Sequence, residues 1–442
     1  MPQDAFDYVI VGSGAGGGTL AARLAESRKR VLVLEAGGDP GTISGDGLPQ
    51  NYDVPAFHPF ASEDPQLSWH FFVDHYPDLD RQRQDPKWRE KWYGRENGGD
   101  GILYPRASAL GGCTAHNAMI FVRPDNADWD HIASISQDPS WSAARMRRHL
   151  RQVEACRHRP PWRWLNWLGI NPTGHGFSGW LQTERAWPAS VATDPDLMRV
   201  LLHSVHEALE HEVDLGASLE SLFRRHADPN DFRGKRAGVC YTPTSTKDFT
   251  RIGTRERLLS VRETHPDYLH IELNALATRV VLDENKRAVA VEYLKGERLY
   301  AAHTSVSTSA GEARTATADG EVILAGGAFN TPQLLMLSGI GDPAELARWN
   351  IPIQVSLAGV GKNLQDRYEI GVVNRMTRPW EAMRGARFMK GDRLYEEWSK
   401  CRARSMYGSN GSAMAVIRRS RPQALPDLFC MALLAKFDGY VP

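Results

Sequence analysis

The most constraining feature of this chain is a glycine-rich turn near its N-terminus, which joins an apolar run to a helical pattern. The apolar run is Tyr8-Val9-Ile10-Val11, the kind of segment that forms a buried parallel strand. The turn is Gly12-Ser13-Gly14-Ala15-Gly16-Gly17, and a second apolar run, Val31–Leu34, ends at Glu35. The order of strand, GxGxxG, helix, strand and acidic residue predicts a βαβ unit that binds a dinucleotide.

Each position of such a motif has a physical role. Gly12 makes the tight turn, Gly14 lets a pyrophosphate approach the backbone, and Gly17 lets the helix pack closely on the sheet. The helix N-terminus supplies free N–H groups and a positive dipole end. Glu35 can accept both hydrogen bonds of a ribose diol and disfavours a 2′-phosphate, which argues against NADP. Ser13 and Ala36, which adjoin these residues, complete this part of the predicted site.

Two later segments have the small residues that a flat ligand needs at close range. The first is a loop that runs from Pro105 to Ile120 and contains Gly111, Gly112, His116, Asn117, Ala118 and Met119. The second is a predicted buried strand over residues 321–325, whose last residue Ala325 is followed by Gly326. After it, Thr331 is suited to a helix N-cap and Pro332 to the first helical position. We expect the polar residues 302–319 before this strand to form a loose surface connection.

In order along the chain, these motifs resemble the glucose–methanol–choline (GMC) flavoprotein oxidoreductases. The resemblance covers most of residues 6–370 and rests on the GxGxxG turn with Glu35, the loop from Leu110 to Asn117, the segment 327–341, and Val360-Gly361-Lys362-Asn363-Leu364-Gln365-Asp366. It implies FAD rather than NAD as the cofactor. It also implies that Val280 lines the adenine site and that residues 111–119 meet the pyrophosphate and isoalloxazine.

The resemblance implies an α/β fold, with a Rossmann-like FAD-binding domain and a second, mainly antiparallel-sheet substrate domain. We expect the FAD-binding domain to comprise residues 1–155 and 236–345, and the substrate domain residues 156–235 and 346–442. The implied reaction is oxidation of an alcohol to an aldehyde or ketone by hydride transfer to the flavin. The substrate is a small-molecule alcohol, and the electron acceptor is left open.

The C-terminal part departs from the family pattern. Arg367 stands where the family usually has His, and none of the 15 histidines follows His303, although the family's catalytic His lies near the C-terminus. We therefore expect a chain that is truncated at its C-terminus, catalytically poor by itself, and without an identifiable catalytic base. Two alternatives remain: a flavoprotein with lyase or light-driven decarboxylase chemistry, and an inactive remnant.

His116 occupies a loop position at which some family members carry a histidine that is covalently linked to the flavin. A neutral imidazole is a competent nucleophile near neutral pH. The alternative is a histidine that hydrogen-bonds the flavin edge or the loop backbone without a covalent bond. Both forms of contact are compatible with the sequence.

Charge and cysteine content exclude several other classes of function. Lys plus Arg equals Asp plus Glu, at 53 each, which argues against a nucleic-acid binder. No apolar run approaches the ~18 residues of a membrane span. The five scattered cysteines predict a cytoplasmic protein without a structural zinc, and we expect no metal at His203, His206 and His211. We expect the tryptophans of the basic segment around Trp162 and Trp164 to pack into the substrate domain rather than to contact a membrane.

Overall fold

The computed structural model describes residues 5–43, 47–90, 100–185, 191, 194–210, 228–230, 237–421 and 424–440. The strands are β1 Ala5–Val11, β2 Val31–Leu34, β3 Ser68–Val73, β4 Ile102–Ala107, β5 Glu154–Cys156, β6 Leu181–Arg185, β7 Gly238–Cys240, β8 Pro243–Thr244, β9 Thr246–Lys247, β10 Thr250–Arg251, β11 Leu269–Glu272, β12 Ala275–Leu282, β13 Ala288–Lys295, β14 Glu312–Leu324, β15 Ile340–Gly341, β16 Val355–Ser356, β17 Ser412–Arg418 and β18 Leu428–Leu433. The α-helices are α1 Ala15–Glu26, α2 Pro40–Ile43, α3 Gln50–Asp53, α4 His58–Glu63, α5 Leu79–Gln82, α6 Asn126–Ser136, α7 Ala143–Val153, α8 Pro160–Trp167, α9 Pro195–Glu210, α10 Thr254–Thr264, α11 Gly327–Leu337, α12 Pro343–Arg348 and α13 Arg393–Lys400.

A six-stranded sheet in the order β11-β2-β1-β14-β13-β12 forms the centre of the first part of the fold. The strands β11, β2, β1 and β14 are parallel, whereas β13 and β12 pair antiparallel at one edge. The helices α1 and α10 cover one face through an apolar cluster that includes Ala21, Ala22 and Leu258. All four residues of β2 are buried, as expected for a parallel strand that is covered on both faces.

The strand β14 corrects the expectation of a loose connection over residues 302–319. It begins at Glu312, and its first half pairs with β13 in an antiparallel register. Within that half, Ala316 and Ala318 are buried while their neighbours are exposed. The buried positions are alanines, and the exposed positions between them are mostly threonine and charged residues. The segment therefore has the composition of a polar linker but the two-residue period of a strand.

The helix α11 also differs from its sequence prediction. It begins at Gly327 rather than near Thr331, and Pro332 lies inside it. Of the leucines that were expected in the helix core, Leu334 is buried, whereas Leu337 is largely exposed. The early start places the N-terminus of α11 directly after the carboxyl end of β14.

Smaller sheets outside the central sheet are mostly antiparallel. One has the order β18-β17-β7 and another the order β5-β6-β8, in which β5 and β6 are parallel. The largest apolar cluster of this part includes Phe57, Trp398, Tyr407 and Val416. The α/β class with a second, mainly antiparallel part is thus confirmed, while the domain boundaries stay a prediction. Among the described residues, no helix has the length and apolar character needed to cross a membrane.

Candidate functional site

A cavity of about 670 Å³ opens at the carboxyl ends of the parallel strands β1, β2 and β14. In a parallel sheet, this is the edge at which ligands bind. Of the residues predicted as cofactor contacts, the cavity is lined by Gly12, Ser13, Gly14, Glu35, Ala36, Gly112, Ala325 and Gly326. The structure therefore brings the glycine-rich turn, the end of β2, part of the small-residue loop and the end of β14 to one place.

The glycines of the turn differ in what surrounds them. Gly12 has φ +100°, and a Cβ on it would lie 2.4 Å from the carbonyl oxygen of Ala325. A Cβ on Gly17 would lie 2.1 Å from the carbonyl oxygen of Gly12. At Gly14, by contrast, a Cβ would meet only the Cα of Gly112, at 3.8 Å. Gly12 and Gly17 thus permit close packing of the turn, whereas Gly14 leaves open space at the N-terminus of α1.

Glu35 is buried at the cavity wall and holds the turn in place. Its Oε2 accepts a hydrogen bond from the Ser13 N–H at 3.1 Å, and its Oε1 accepts one from the Gly37 N–H at 2.9 Å. Burial raises the pKa of this carboxyl, and the hydrogen bonds from Ser13 and Gly37 oppose the rise. A carboxylate has about four acceptor positions. The Ser13 hydroxyl donates to Oε2 as well, at 2.5 Å, so these three donors leave one acceptor position for a ligand in the cavity.

Ser13 and Thr254 connect the glycine-rich turn to the small-residue loop. The Ser13 hydroxyl accepts a hydrogen bond from the Gly111 N–H at 2.9 Å. The Thr254 hydroxyl is 3.0 Å from the Ser13 carbonyl oxygen and 3.1 Å from that of Gly111. Gly111 itself is not at the cavity wall and has φ +102°. The two segments that were predicted to hold the pyrophosphate are thus held together by direct hydrogen bonds.

His116 belongs to the small-residue loop, and its side chain is buried outside the cavity wall. Its Nδ1 is 3.1 Å from the hydroxyl of Ser62 on α4, and its Nε2 has no hydrogen-bond partner among the described residues. Burial, together with the nearby cations Arg251 and Arg106, lowers the pKa of His116 to about 3. The imidazole is therefore neutral at physiological pH and carries one unpaired nitrogen.

Arg251 fixes the end of the loop that contains Asn117, Ala118 and Met119. Its guanidinium donates to the Asn117 carbonyl oxygen at 2.8 Å and to the Tyr52 carbonyl oxygen at 2.8 Å. The Asn117 Oδ1 is occupied, because it accepts hydrogen bonds from the Met119 N–H at 3.0 Å and from Arg251 at 3.1 Å. The Ala118 carbonyl oxygen accepts from the Asn410 side chain. Like His116, these three predicted residues do not line the cavity.

Val280 is a further predicted contact that lies away from the cavity. Its N–H donates to the Ser338 hydroxyl at 2.8 Å, and its side chain is buried. Residues 275–278, which precede it on β12, line the cavity instead. Gly17 is likewise a packing residue rather than a wall residue.

The opposite wall was not foreseen from the sequence. It contains Trp69 on β3 and Tyr300, whose rings meet edge to face at 4.8 Å between centroids. The Tyr300 hydroxyl accepts from the Asn330 amide at 2.7 Å and donates to Gln333 at 2.9 Å. Arg106 also lines the cavity. Arg106, in the segment predicted as the small-residue loop, pairs with Trp69 across β3 and β4, and Tyr300 is distant in sequence from both, so only the fold brings the three together.

Taken together, the wall suits a dinucleotide. It offers a helix N-terminus and an open glycine for phosphates, a carboxylate for a ribose, and aromatic and aliphatic surface for planar rings. The histidines at which we expect no metal are not part of this wall. His203 on α9 is exposed and lies 3.8 Å from Glu207, and His211 is outside the described residues.

Comparison with known proteins agrees with this geometry. The model of the family described as GMC oxidoreductase matches residues 6–369. The dehydrogenase eriK of Hericium erinaceus is 29% identical over 372 residues, which are 83% of this chain and 52% of that protein. The oxygen-dependent choline dehydrogenase of Yersinia pestis is 29% identical over 367 residues, which are 83% of this chain and 53% of that protein. The chain thus spans about half the length of these curated relatives.

Solved structures show the same fold. The formate oxidase of Aspergillus oryzae superposes with a TM-score of 0.67 at 21% identity, and the match covers 94% of this chain and 62% of that chain. A fungal aryl-alcohol oxidase superposes with a TM-score of 0.63 at 19% identity, with 94% and 62% covered.

Proposed function

The chain belongs to the GMC oxidoreductase family, and we propose that it holds FAD in the cavity described above and serves the oxidation of an alcohol to an aldehyde or ketone. The single observation that supports this proposal most is the cavity at the strand ends, where the GxGxxG turn meets Glu35 and Gly112. The relatives named above are dehydrogenases and oxidases. Because the chain spans about half of the curated relatives' length, the activity proposed is that of the whole protein.

We assign the parts of the cofactor to the wall as follows. The N–H groups at the start of α1, with the open space at Gly14, would hold the pyrophosphate, and Gly112, which packs against the Gly14 backbone, would border it. Glu35 would accept hydrogen bonds from the ribose of the adenosine half, next to Ala36. Residues 275–278 of β12 would face the adenine, with Val280 behind them, and Ala325 and Gly326 would complete the floor at the end of β14.

When bound, FAD supplies a hydride acceptor for the carbinol carbon of the substrate. This chain's own contribution is to position that acceptor. Ser62 orients the neutral ring of His116, and Arg251 fixes the backbone of Asn117. We assign no catalytic base to this chain.

We also propose that His116, although it lies outside the wall of the cavity described above, contacts the flavin, either through a covalent bond at Nε2 or through a hydrogen bond. The unpaired Nε2 and the lowered pKa support both forms. Acid precipitation of the FAD-loaded protein, followed by mass spectrometry of the peptide that contains His116, separates them. A peptide that carries the mass of FAD indicates the bond, and complete release of FAD into the supernatant excludes it.

The substrate, the electron acceptor and the cellular compartment also belong to the proposal. The alcohol is unspecified, and oxygen, a quinone or a carrier protein remains open as the electron acceptor. All five cysteines are free, which supports a reducing, cytoplasmic compartment.

The proposed reaction is tested by anaerobic mixing of the FAD-loaded chain with a panel of primary and secondary alcohols. We expect at least one alcohol to bleach the oxidised flavin band over minutes to hours. The loss of a general base costs about 10²–10⁴ in rate, so reduction stays measurable on this timescale even in a chain without its base. Product formation without bleaching would contradict alcohol oxidation, as would the absence of bleaching by every alcohol in a sample that dithionite bleaches fully.

A further inference from the structure

A second cluster of reactive side chains lies outside the cavity, beside the strands β5 and β6. It contains Cys156, His158 and His175, with Asp228 in contact with both histidines. The side chains of His175 and Asp228 are fully buried, and that of His158 is 2% exposed. One ligand atom from each of Cys156, His158 and His175 can be chosen so that all three lie within 4.8 Å of one another.

Three distances between the donor atoms of this cluster are within a few tenths of an ångström of those in a tetrahedral metal site. The Cys156 Sγ is 3.5 Å from the His158 Nε2. The Asp228 Oδ2 is 3.2 Å from the His158 Nε2 and 3.0 Å from the His175 Nε2. In a tetrahedral zinc site, with bonds of about 2.0–2.3 Å, neighbouring ligand atoms are about 3.3–3.6 Å apart.

The other ring nitrogen of each histidine is anchored as in a metal site. The His175 Nδ1 is 3.0 Å from a carboxylate oxygen of Glu154, and the His158 Nδ1 is 3.3 Å from the Thr183 carbonyl oxygen. Metal-binding histidines almost always donate their second N–H to a carboxylate or a backbone carbonyl, which fixes the tautomer. With the Nδ1 atoms anchored in this way, the Nε2 of each ring faces the same partner, which is Asp228 Oδ2 in the structure.

We propose that Cys156, His158 and His175 bind a zinc ion, with Asp228 as the fourth ligand. The thiol of Cys156 gives up its proton on binding, and each imidazole binds through an Nε2 that carries no proton. A thiolate and two imidazoles favour zinc over magnesium or calcium, which take oxygen ligands. Because the donors are buried, the site is structural: it fastens β5 and β6 to the segment around Asp228, some 70 positions further along.

The alternative for the same atoms is a metal-free ion network. In that network, Asp228 accepts hydrogen bonds from both histidines, from the Arg159 guanidinium at 3.0 Å and from the Tyr241 hydroxyl at 2.5 Å. The two states differ in whether the Cys156 sulfur is bonded to a metal.

The experiment is elemental analysis of the full chain, expressed with added zinc and purified without chelator, followed by replacement of the metal with cobalt(II). We expect stoichiometric zinc and, with cobalt, a near-ultraviolet thiolate-to-cobalt charge-transfer band. Cys156→Ser removes that band, whereas Cys401→Ser, at an exposed cysteine, keeps it. These readouts do not depend on FAD or on activity, so they are independent of the proposed function.

A folded wild-type chain without stoichiometric metal and without the cobalt band would overturn the proposal in favour of the ion network. This holds even if Cys156→Ser fails to fold, since the wild-type measurement stands alone. A band that persists in a folded Cys156→Ser variant would overturn it as well.

Discussion

At the residue scale, Glu35 has two roles: it stabilises the glycine-rich turn, and it forms part of the cavity wall. It accepts hydrogen bonds from the turn through Ser13 and Gly37, and it lies at the cavity wall. The ribose role was predicted from its position after β2, but the structural role through Ser13 was not. The structural role depends on a contact between Ser13 and Glu35, which are 22 positions apart in the sequence.

The first prediction concerns Glu35→Gln. The change removes the charge and replaces one acceptor with a donor, so the bound ribose loses a charge-assisted hydrogen bond of about 1.5–3 kcal/mol. We expect the Kd for FAD to rise by roughly 10-fold or more, as measured by fluorescence titration. Glu297→Gln, at an exposed position, is the control and should leave the Kd unchanged. Equal Kd values for FAD in the two variants would show that Glu35 does not bind the ribose.

The second prediction is a pH dependence that comes from His116. Burial lowers its pKa to about 3, so the folded state binds fewer protons than the unfolded state, whose histidine titrates near pH 6.5. Its contribution to stability is complete above that pH and is lost as the pH falls from about 6.5 towards 3. Between pH 7 and pH 5, the wild type should lose about 2 kcal/mol more free energy of unfolding than His116→Asn.

Urea unfolding at the two pH values measures this difference. His58, whose pKa burial also lowers to about 3, remains in both proteins and largely cancels in the comparison. His203→Asn is the matched control, because the side chain of His203 is 74% exposed. If His116→Asn and the wild type lose stability in parallel, His116 is not buried as a neutral imidazole.

At the element scale, the glycines where β1 joins α1 differ in whether a Cβ would fit. A Cβ on Gly17 would overlap the Gly12 carbonyl oxygen, whereas a Cβ on Gly16 meets nothing within 4 Å. We expect Gly17→Ala to cost about 1–3 kcal/mol or more through overpacking. Gly16→Ala should be neutral or stabilising by up to about 1 kcal/mol, because alanine favours the helix. Chemical denaturation of the pair checks this contrast, and an equal cost would contradict the packing described here.

The helix α8 gives an expectation that differs from the sequence analysis. Its tryptophans were expected to pack into the substrate domain, but Trp164 is 76% exposed and Trp167 is 85% exposed. We expect Trp164→Ala and Trp167→Ala to change the free energy of unfolding by less than about 0.5 kcal/mol. Trp398→Ala should cost about 3–5 kcal/mol, because Trp398 is buried in the largest apolar cluster. A cost of several kcal/mol at Trp164 would show that its ring is buried after all.

The sequence predicted secondary structure correctly where apolar residues formed a clear run or where a tight turn required glycine. The apolar runs of β1 and β2 and the GxGxxG turn predicted strands and a helix that the structure contains. The first half of β14 could not be recognised, because its buried positions are alanines among polar residues. The start of α11 was misplaced, since Pro332 is tolerated within the helix.

At the scale of the whole molecule, the missed residues share one property: their partners are distant in sequence. Arg251 reaches the loop at Asn117 across 134 positions, and Ser62 reaches His116 across 54. The proposed zinc ligands Cys156, His175 and Asp228 are likewise far apart in sequence, so the cysteine spacing, which predicted no structural zinc, gives no signal for them. A single sequence gives no direct signal for such pairs. The division into a domain of residues 1–155 and 236–345 and a domain of residues 156–235 and 346–442 remains our proposal.

The central claim is that the cavity at the ends of β1, β2 and β14 is an FAD site. The most direct measurement is equilibrium titration of the purified, folded chain with FAD, followed by absorbance and flavin fluorescence, with NAD and NADP as competitors. The account predicts saturable binding of about one FAD per chain, little displacement by either nicotinamide dinucleotide, and marked weakening in Glu35→Gln. A folded chain that binds no FAD at saturating concentration, or that releases FAD to NAD, would contradict it.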